Sequence, residues 1–395
     1  MNCVKFSSLQ FITRRLNDFI RIAFFHFISL FLLLSLTGSF LFYSSNSFAN
    51  NSTYQDSPQD SPWLNSNSYQ SFITTDFQWN VLQTENQHLP TMVLLHGGGT
   101  WSYSFRELIP LLQTHYHLVI VDLPGFGRSL PLQAKFKDYS LKTVSKNLQE
   151  LILKILALKK QNSHYSTAQQ HDQQNLKDTK SSSIIDQDLQ KEAPTAHYLQ
   201  ATPVDRSSSN EDTQNETVTI LGHSWGGGLG IAYALTYPQQ VKNLILIASS
   251  GLNAPDTWDW ELFRIKGLGR LMTYLIYPFT VKMDLKKAFY DDSLIDDEMV
   301  QETYWPLRQK QTKRAIYYYS QKLNWKWTEK HLSEIKTKTL IIWGRQDQFL
   351  PVKYSFQLKE KIPNSTLAIF DKCGHQIHEE CAEPVANTIL QYLQP

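Results

Sequence analysis

The sequence predicts an α/β fold: a mostly parallel sheet covered by helices on both faces, interrupted by a helical cap and preceded by a separate N-terminal segment. Three observations carry this. Short apolar runs, Met92-Val93-Leu94-Leu95, Leu118-Val119-Ile120-Val121, Thr217 to Leu221, Val241 to Ala248 and Thr339 to Trp343, recur along the chain, as central parallel strands do when both faces are buried. All but the run Val241 to Ala248 are followed by a turn rich in Gly, Asp or His. The rhythm stops over residues 252–333, where tryptophan, tyrosine and phenylalanine recur at helical spacing.

At 395 residues and 42% hydrophobic content the chain can fill one large α/β core with an appended element. Thirty-eight basic against 36 acidic residues leave a net charge of +2, which gives no electrostatic case for nucleic acid as a partner. Residues 1–50 read as separate from the fold. Lys5, Arg14, Arg15 and Arg21 precede a stretch from Ile22 to Tyr43 without Asp, Glu, Lys or Arg, long enough at about 1.5 Å per residue to cross a hydrocarbon core of about 30 Å. The basic flank would stay in the cytoplasm. Ser47-Phe48-Ala49 has the small residues of a signal-peptidase site, so the segment is either a cleavable signal peptide or an uncleaved anchor. Both place residues 51–395 on the non-cytoplasmic side, membrane-anchored or secreted/periplasmic. A Ser/Asn/Gln-rich linker runs over residues 51–70.

The main domain opens with an aromatic and β-branched stretch, Ser71 to Thr84, expected as a strand or hairpin. After Met92 to Leu95 comes His96-Gly97-Gly98-Gly99, a glycine run whose backbone can approach a ligand closely and present N–H groups. A helix-like stretch covers Ser102 to Gln113, and the strand Leu118 to Val121 runs into Asp122 to Ser129. Asp122 beside Pro124-Gly125 reads as a structural loop cap. Leu141, Val144, Leu148, Leu151, Ile152 and Ile155 recur at helical spacing from Ser140. Residues 159–216, rich in Gln, Ser, Asn, Asp, Thr and Lys, read as a disordered insertion, so the first part of the core spans 71–251, the cap 252–333 and the second part 334–395.

Gly222-His223-Ser224-Trp225-Gly226 stands between the strand Thr217 to Leu221 and a Gly/Ala-rich helical stretch. In this strand–turn–helix context, G-x-S-x-G predicts a strained turn that lifts the serine hydroxyl clear of the sheet, with glycine where a side chain would collide. Alone, the motif also fits an ordinary turn that happens to carry serine. The context is supplied by Asp347, which follows the strand Thr339 to Trp343, and His375, in a loop after the strand Thr366 to Phe370. Nucleophile, acid and base then stand in that order, each in a turn after an apolar strand. Serine attacks only when a neutral imidazole takes its proton, and a carboxylate fixes that imidazole. The N–H groups of Gly98 and Trp225 are the expected oxyanion donors. His96 and His223 are expected to bond locally and His378 to flank the site. Cys373 and Cys381, eight apart, are either a disulfide in an oxidising compartment or two semi-buried thiols.

With these residues in that order, the chain resembles α/β-hydrolase fold enzymes with a cap, over roughly residues 70–158 and 217–395. The resemblance implies an eight-stranded, mostly parallel sheet, the roles given to Ser224, Asp347 and His375, and hydrolysis without metal or organic cofactor. His96 to Tyr103 and Gly222-His223 with Trp225-Gly226-Gly227 are similar to haloalkane dehalogenases and epoxide hydrolases, but those use aspartate where this chain has Ser224. The Gly97-Gly98-Gly99 and Gly226-Gly227-Gly228 runs and Lys372 to His375 are similar to carbon–carbon bond hydrolases of ring-fission products. Gln376 stands where those have tryptophan. An ester hydrolase of carboxylesterase or lipase type is therefore the first expectation, carbon–carbon hydrolysis the second, and a non-catalytic binding module on the same fold the third.

Overall fold

The computed structural model describes residues 61–133, 135–180, 216–254 and 258–394. The apolar stretch 22–43, residues 51–60 of the linker and residues 181–215 of the insertion lie outside them. Among the described residues no helix is long and apolar enough to cross a membrane.

Among the described residues nine strands form one sheet: β1 (Tyr69–Ile73), β2 (Phe77–Gln83), β3 (Thr91–Leu95), β4 (His117–Val121), β5 (Leu130–Pro131), β6 (Val218–His223), β7 (Val241–Ile247), β8 (Lys338–Gly344) and β9 (Ser365–Phe370). Their order is β1-β2-β4-β3-β6-β7-β8-β9, with the short β5 paired to β2 off this path. The eight strands of the path match the expected number. Residues 71–84 form an antiparallel hairpin, β1 with β2, and β2 meets β4 antiparallel. From β4 to β9 every pairing is parallel, so the carboxyl ends of six strands share one edge of the sheet.

Alternation along the buried strands divides the core. Val93, Leu95, Val119, Val121, Ile220, Leu244 and Leu246 face the side covered by Val144, Leu148 and Leu151 and by the cap. Met92, Leu94, Leu118, Ile120, Leu221, Ile245 and Ile247 face the side covered by Phe105, Leu112, Val385 and Ile389. The covering helices are α1 (Pro62–Ser66), α2 (Ile109–Leu112), α3 (Leu141–Lys180) and α4 (Trp225–Thr236) before the cap. The stretch expected as one helix over Ser102 to Gln113 is a 3₁₀ turn, Ser102–Phe105, followed by α2, where Pro110 occupies a first-turn position.

The insertion is shorter than its composition suggests. Helix α3 does not end near Lys159 but continues to Lys180. Residues 159–180 hold no Gly or Pro, four Lys, five Gln and one Ala. A low apolar content shows that a segment lacks a core-facing stripe, whereas Lys, Gln and Ala still favour helix.

The cap comprises α5 (Trp258–Arg264), α6 (Leu268–Met272), α7 (Pro278–Ala288), α8 (Asp297–Leu307), α9 (Lys310–Lys322) and α10 (Trp325–His331). Among the described residues four of its aromatic rings are buried, Phe289, Trp305, Tyr319 and Trp325: Trp305 stacks on Trp101 with centroids 5.0 Å apart, and Tyr319 is fully buried against Tyr139. Helices α11 (Lys353–Lys361), α12 (Ile377–Glu380) and α13 (Ala382–Leu393) complete the second part of the core.

Candidate active site

Ser224 follows β6 and caps α4 with φ 51° and ψ −117°, a conformation that costs a non-glycine residue about 1–3 kcal/mol. Its surroundings hold it there. The Ser224 N–H donates to the Ile247 carbonyl at 3.0 Å, and the Ser224 carbonyl accepts from Ser250 at 2.9 Å. A Cβ at Gly222 would lie 2.4 Å from the Gly226 oxygen, and one at Gly226 would lie 2.0 Å from the Leu95 oxygen. Both glycines are therefore required by contact, as the motif predicted.

The loop after β3 closes over this turn. A Cβ at Gly97 would be 3.1 Å from that of Ser224, and one at Gly98 would be 2.5 Å from the Trp225 indole. Trp225 opens α4, so its N–H has no acceptor inside the helix. Its indole packs on the cap, 5.2 Å from Trp260 and 5.8 Å from Tyr319. His96 anchors the glycine loop. Its Nε2 accepts the Leu123 N–H at 2.8 Å, so the opposite Nδ1–H donates to the Gly97 carbonyl at 2.8 Å. Burial pushes its pKa down to about 4, which keeps the ring neutral.

Asp347 and His375, 28 positions apart, are brought together. The Asp347 carboxylate accepts from His375 Nδ1 at 2.8 Å through one oxygen and from the Phe349 and Leu350 N–H groups, each at 2.8 Å, through the other. With Nδ1 committed, Nε2 is the nitrogen left for a partner. The loop that carries His375 is tied down by Glu380, which accepts from Gly374 at 2.7 Å and from Tyr290 and Asp291 of the cap. Cys373 and Cys381 are joined in a disulfide across the same loop. Gln376 donates its N–H to the Ala288 carbonyl at the end of α7.

Of the lesser candidates, His223 sits differently from expectation, while Asp122 is structural as expected. His223 does not bond locally: its Nε2 lies 3.1 Å from the His375 carbonyl, and its ring is 4.2 Å from that of His378. Burial first, then His378 and His375, hold its pKa well below the usual range. Sequence separation hides such a contact. Asp122 is structural, accepting from Asn80 at 2.8 Å, Ser102 at 3.0 Å and Arg128 at 3.2 Å. It ties three segments together rather than capping its own loop alone, and burial raises its pKa.

A cavity of about 170 Å³ contains Ser224, His375, Gly98 and Trp225 in its wall. Trp260, Phe263, Ile276, Leu285, Phe349 and Leu350 supply its apolar surface, and the aromatic density of the cap was the sequence signal for the first two. Among the described residues no Lys or Arg lines it, and its one carboxylate is Asp284, whose side chain is 56% exposed. No cluster of His, Cys, Asp and Glu among the described residues could hold a metal ion.

Compared with known proteins, residues 92–388 match the model described as the alpha/beta hydrolase family. A 2-hydroxy-6-oxononadienedioate/2-hydroxy-6-oxononatrienedioate hydrolase of Comamonas testosteroni is 26% identical over 310 residues, 76% of this chain and 87% of that protein. A solved meta-cleavage product hydrolase from Pseudomonas fluorescens IP01 is similar with a TM-score of 0.58 at 19% identity, over 82% of this chain and 96% of that one. A membrane phospholipase A, described as a bacterial virulence factor, is similar over 98% of both chains, with a TM-score of 0.56 at 17% identity. At such identities the structural likeness speaks to the fold.

Proposed function

The chain belongs to the alpha/beta hydrolase family, and from that premise we propose that Ser224 attacks the carbonyl carbon of a small, uncharged acyl substrate, a carboxylic ester first, and forms an acyl-enzyme. His375 Nε2 takes the hydroxyl proton and returns it to the departing alcohol, with Asp347 holding the tautomer that makes this possible. The N–H groups of Gly98 and Trp225 stabilise the oxyanion. The same imidazole then deprotonates a water that releases the acid. The scheme calls on no metal or organic cofactor.

The observation that carries the ester reading is the cavity lining. An anionic substrate would lose its water there with no Lys or Arg facing it among the described residues, at a cost of several kcal/mol. The curated relatives favour the second reading, carbon–carbon bond hydrolysis of a ring-fission product, over an esterase, because by name they act on dienoates and dienedioates. One experiment separates the two. A serine-reactive phosphonate is expected to label the protein and to leave Ser224→Ala unlabelled, with hydrolysis falling at least about 10⁴-fold. A panel of short-chain aryl esters, lactones and a 2-hydroxy-6-oxo-dienoate then assigns the class. Faster turnover of the dienoate than of every ester establishes the second reading, and an unlabelled wild type returns the chain to the binding modules.

The N-terminal segment, in this proposal, carries the domain to or across a membrane. Its charge-free stretch and basic flank support this, as does the Cys373–Cys381 disulfide, a bond of oxidising compartments. Sequencing the mature protein tests it: a first residue near Asn50 excludes the anchor and leaves the signal peptide.

A further inference from the structure

A second concavity, of about 700 Å³, lies between the segment after β5 and helices α6 and α9 of the cap, and shares no lining residue with the Ser224 cavity. Five cationic side chains line it: Lys135, Lys137, Arg270, Lys313 and Arg314. Tyr274, Tyr317 and Tyr318 stand among them, with Lys313 Nζ 5.4 Å from the Tyr274 ring centre. No Asp or Glu is among the described residues that line it. Like charges gathered with no carboxylate among the described lining residues favour an anion at this place.

The chain that supplies Arg270 and Tyr274 also carries the most exposed apolar side chains of the cap. Ile265, Leu271, Tyr274, Leu275, Tyr277, Phe279 and Met283 are all exposed, Phe279 at 73% and Leu271 at 58%. Single exposed apolar residues need no explanation, but seven within nineteen positions do. Phe279 and Met283 lie one turn apart on α7, on the face opposite the buried Val281, Leu285 and Ala288. Between these exposed residues, Ile276, Thr280 and Val281 form wall of the Ser224 cavity. One stretch, 265–283, thus joins an apolar outer face, a basic pocket and the wall of the active site.

We propose that this face docks on an anionic phospholipid bilayer, with a headgroup phosphate in the basic pocket and the side chains of 265–283 in the interfacial layer. Charge selects this occupant. A second protein would cover the apolar residues but gives no reason for five cations without a lining carboxylate, whereas a phosphate-bearing surface satisfies both, and tyrosine and phenylalanine are residues of that interface. Docking would hold the Ile276–Val281 wall against the membrane, so that an apolar substrate enters the cavity from lipid. The inference is independent of whether Ser224 cleaves an ester or a carbon–carbon bond.

Hydrogen–deuterium exchange of the full-length protein with vesicles of phosphatidylcholine, alone or mixed with phosphatidylglycerol, tests it. The amides of 265–283 are expected to slow with the mixed vesicles only. Each cation removed should weaken this protection roughly fivefold. Lys135→Glu with Lys313→Glu, and separately Phe279→Ser with Met283→Ser, should therefore abolish it while exchange in β6 and β7 and hydrolysis of a soluble aryl ester stay as in the wild type. Equal protection by neutral vesicles, protection surviving the lysine reversals, or the same protection from inorganic phosphate alone or from raised protein concentration without lipid would each overturn the proposal. Absence of ester hydrolysis in the wild type bears on the proposed reaction and leaves this readout intact.

Discussion

His375 has one ring nitrogen spoken for. Its Nδ1 faces an Asp347 oxygen whose partner oxygen is fixed by two backbone N–H groups, so the carboxylate cannot turn away without losing both. Asp347→Asn should keep this geometry while allowing the wrong imidazole tautomer, and kcat on a soluble ester should fall by about 10⁴-fold with little change in KM. Near-normal turnover would place the acid elsewhere. His96 gives a residue-scale prediction of another kind. Its folded pKa of about 4 lies below the 6.5 of the unfolded imidazole, so between these values the unfolded chain binds more protons. Stability is then full above about pH 6.5 and is lost as pH falls toward 4. His117, at about 4, and His378, at about 3, carry the same sign. His96 alone should cost about 2 kcal/mol by pH about 5. Urea unfolding at the two pH values checks this: His96→Asn should be less stable at neutral pH yet lose less on acidification.

The elements that hold these residues differ in how far they could be read beforehand. The turn at Ser224 was legible because its requirements are local: a Cβ at Gly222 or Gly226 would collide with backbone a few positions away or one strand over. The parallel strands were legible because each is a continuous apolar run. The cavity was not. Trp260 and Phe263 line it while Trp305 stacks on Trp101 and Tyr319 fills the core, and only packing between helices decides which ring goes where. Nor could the sequence reveal Glu380, whose carboxylate binds Gly374 and the cap residues Tyr290 and Asp291 some ninety positions away. The reach of α3 to Lys180 shows a further limit, since polar composition was mistaken for loss of helix. The Cys373–Cys381 bridge closes a short loop around His375, for which chain entropy gives about 2–3 kcal/mol. Replacing both cysteines by serine should lower the melting free energy by that amount and reduce kcat more than KM, because the loop positions the base. Unchanged kcat would mean that Glu380 alone suffices.

At the scale of the whole molecule, the segment holding Ser61 and Trp63 is bound to the cap. The buried Glu302 of α8 accepts from Ser61 Oγ at 2.7 Å and from the Trp63 N–H at 3.1 Å, while its backbone carbonyl accepts from Trp101 Nε1 at 2.9 Å. Trp63 Nε1 donates to the Tyr69 hydroxyl at 2.7 Å, which meets Ser102 at 2.7 Å, whose N–H donates to Asp122. One polar chain therefore runs from the cap through the first strand to the segment that follows the glycine loop and to the turn after β4. Breaking it should loosen the cap rather than the chemistry. Ser61→Ala, Glu302→Ala and the double variant form a cycle with a coupling of about 1.5–3 kcal/mol, the range for a bond to a charged acceptor. Glu302→Ala should also raise KM for a soluble ester with kcat less affected, because Thr303 beside it lines the cavity. Additive losses in the cycle, or a fall in kcat at constant KM, would show that this connection only anchors the chain and that the cap is held by its aromatic core.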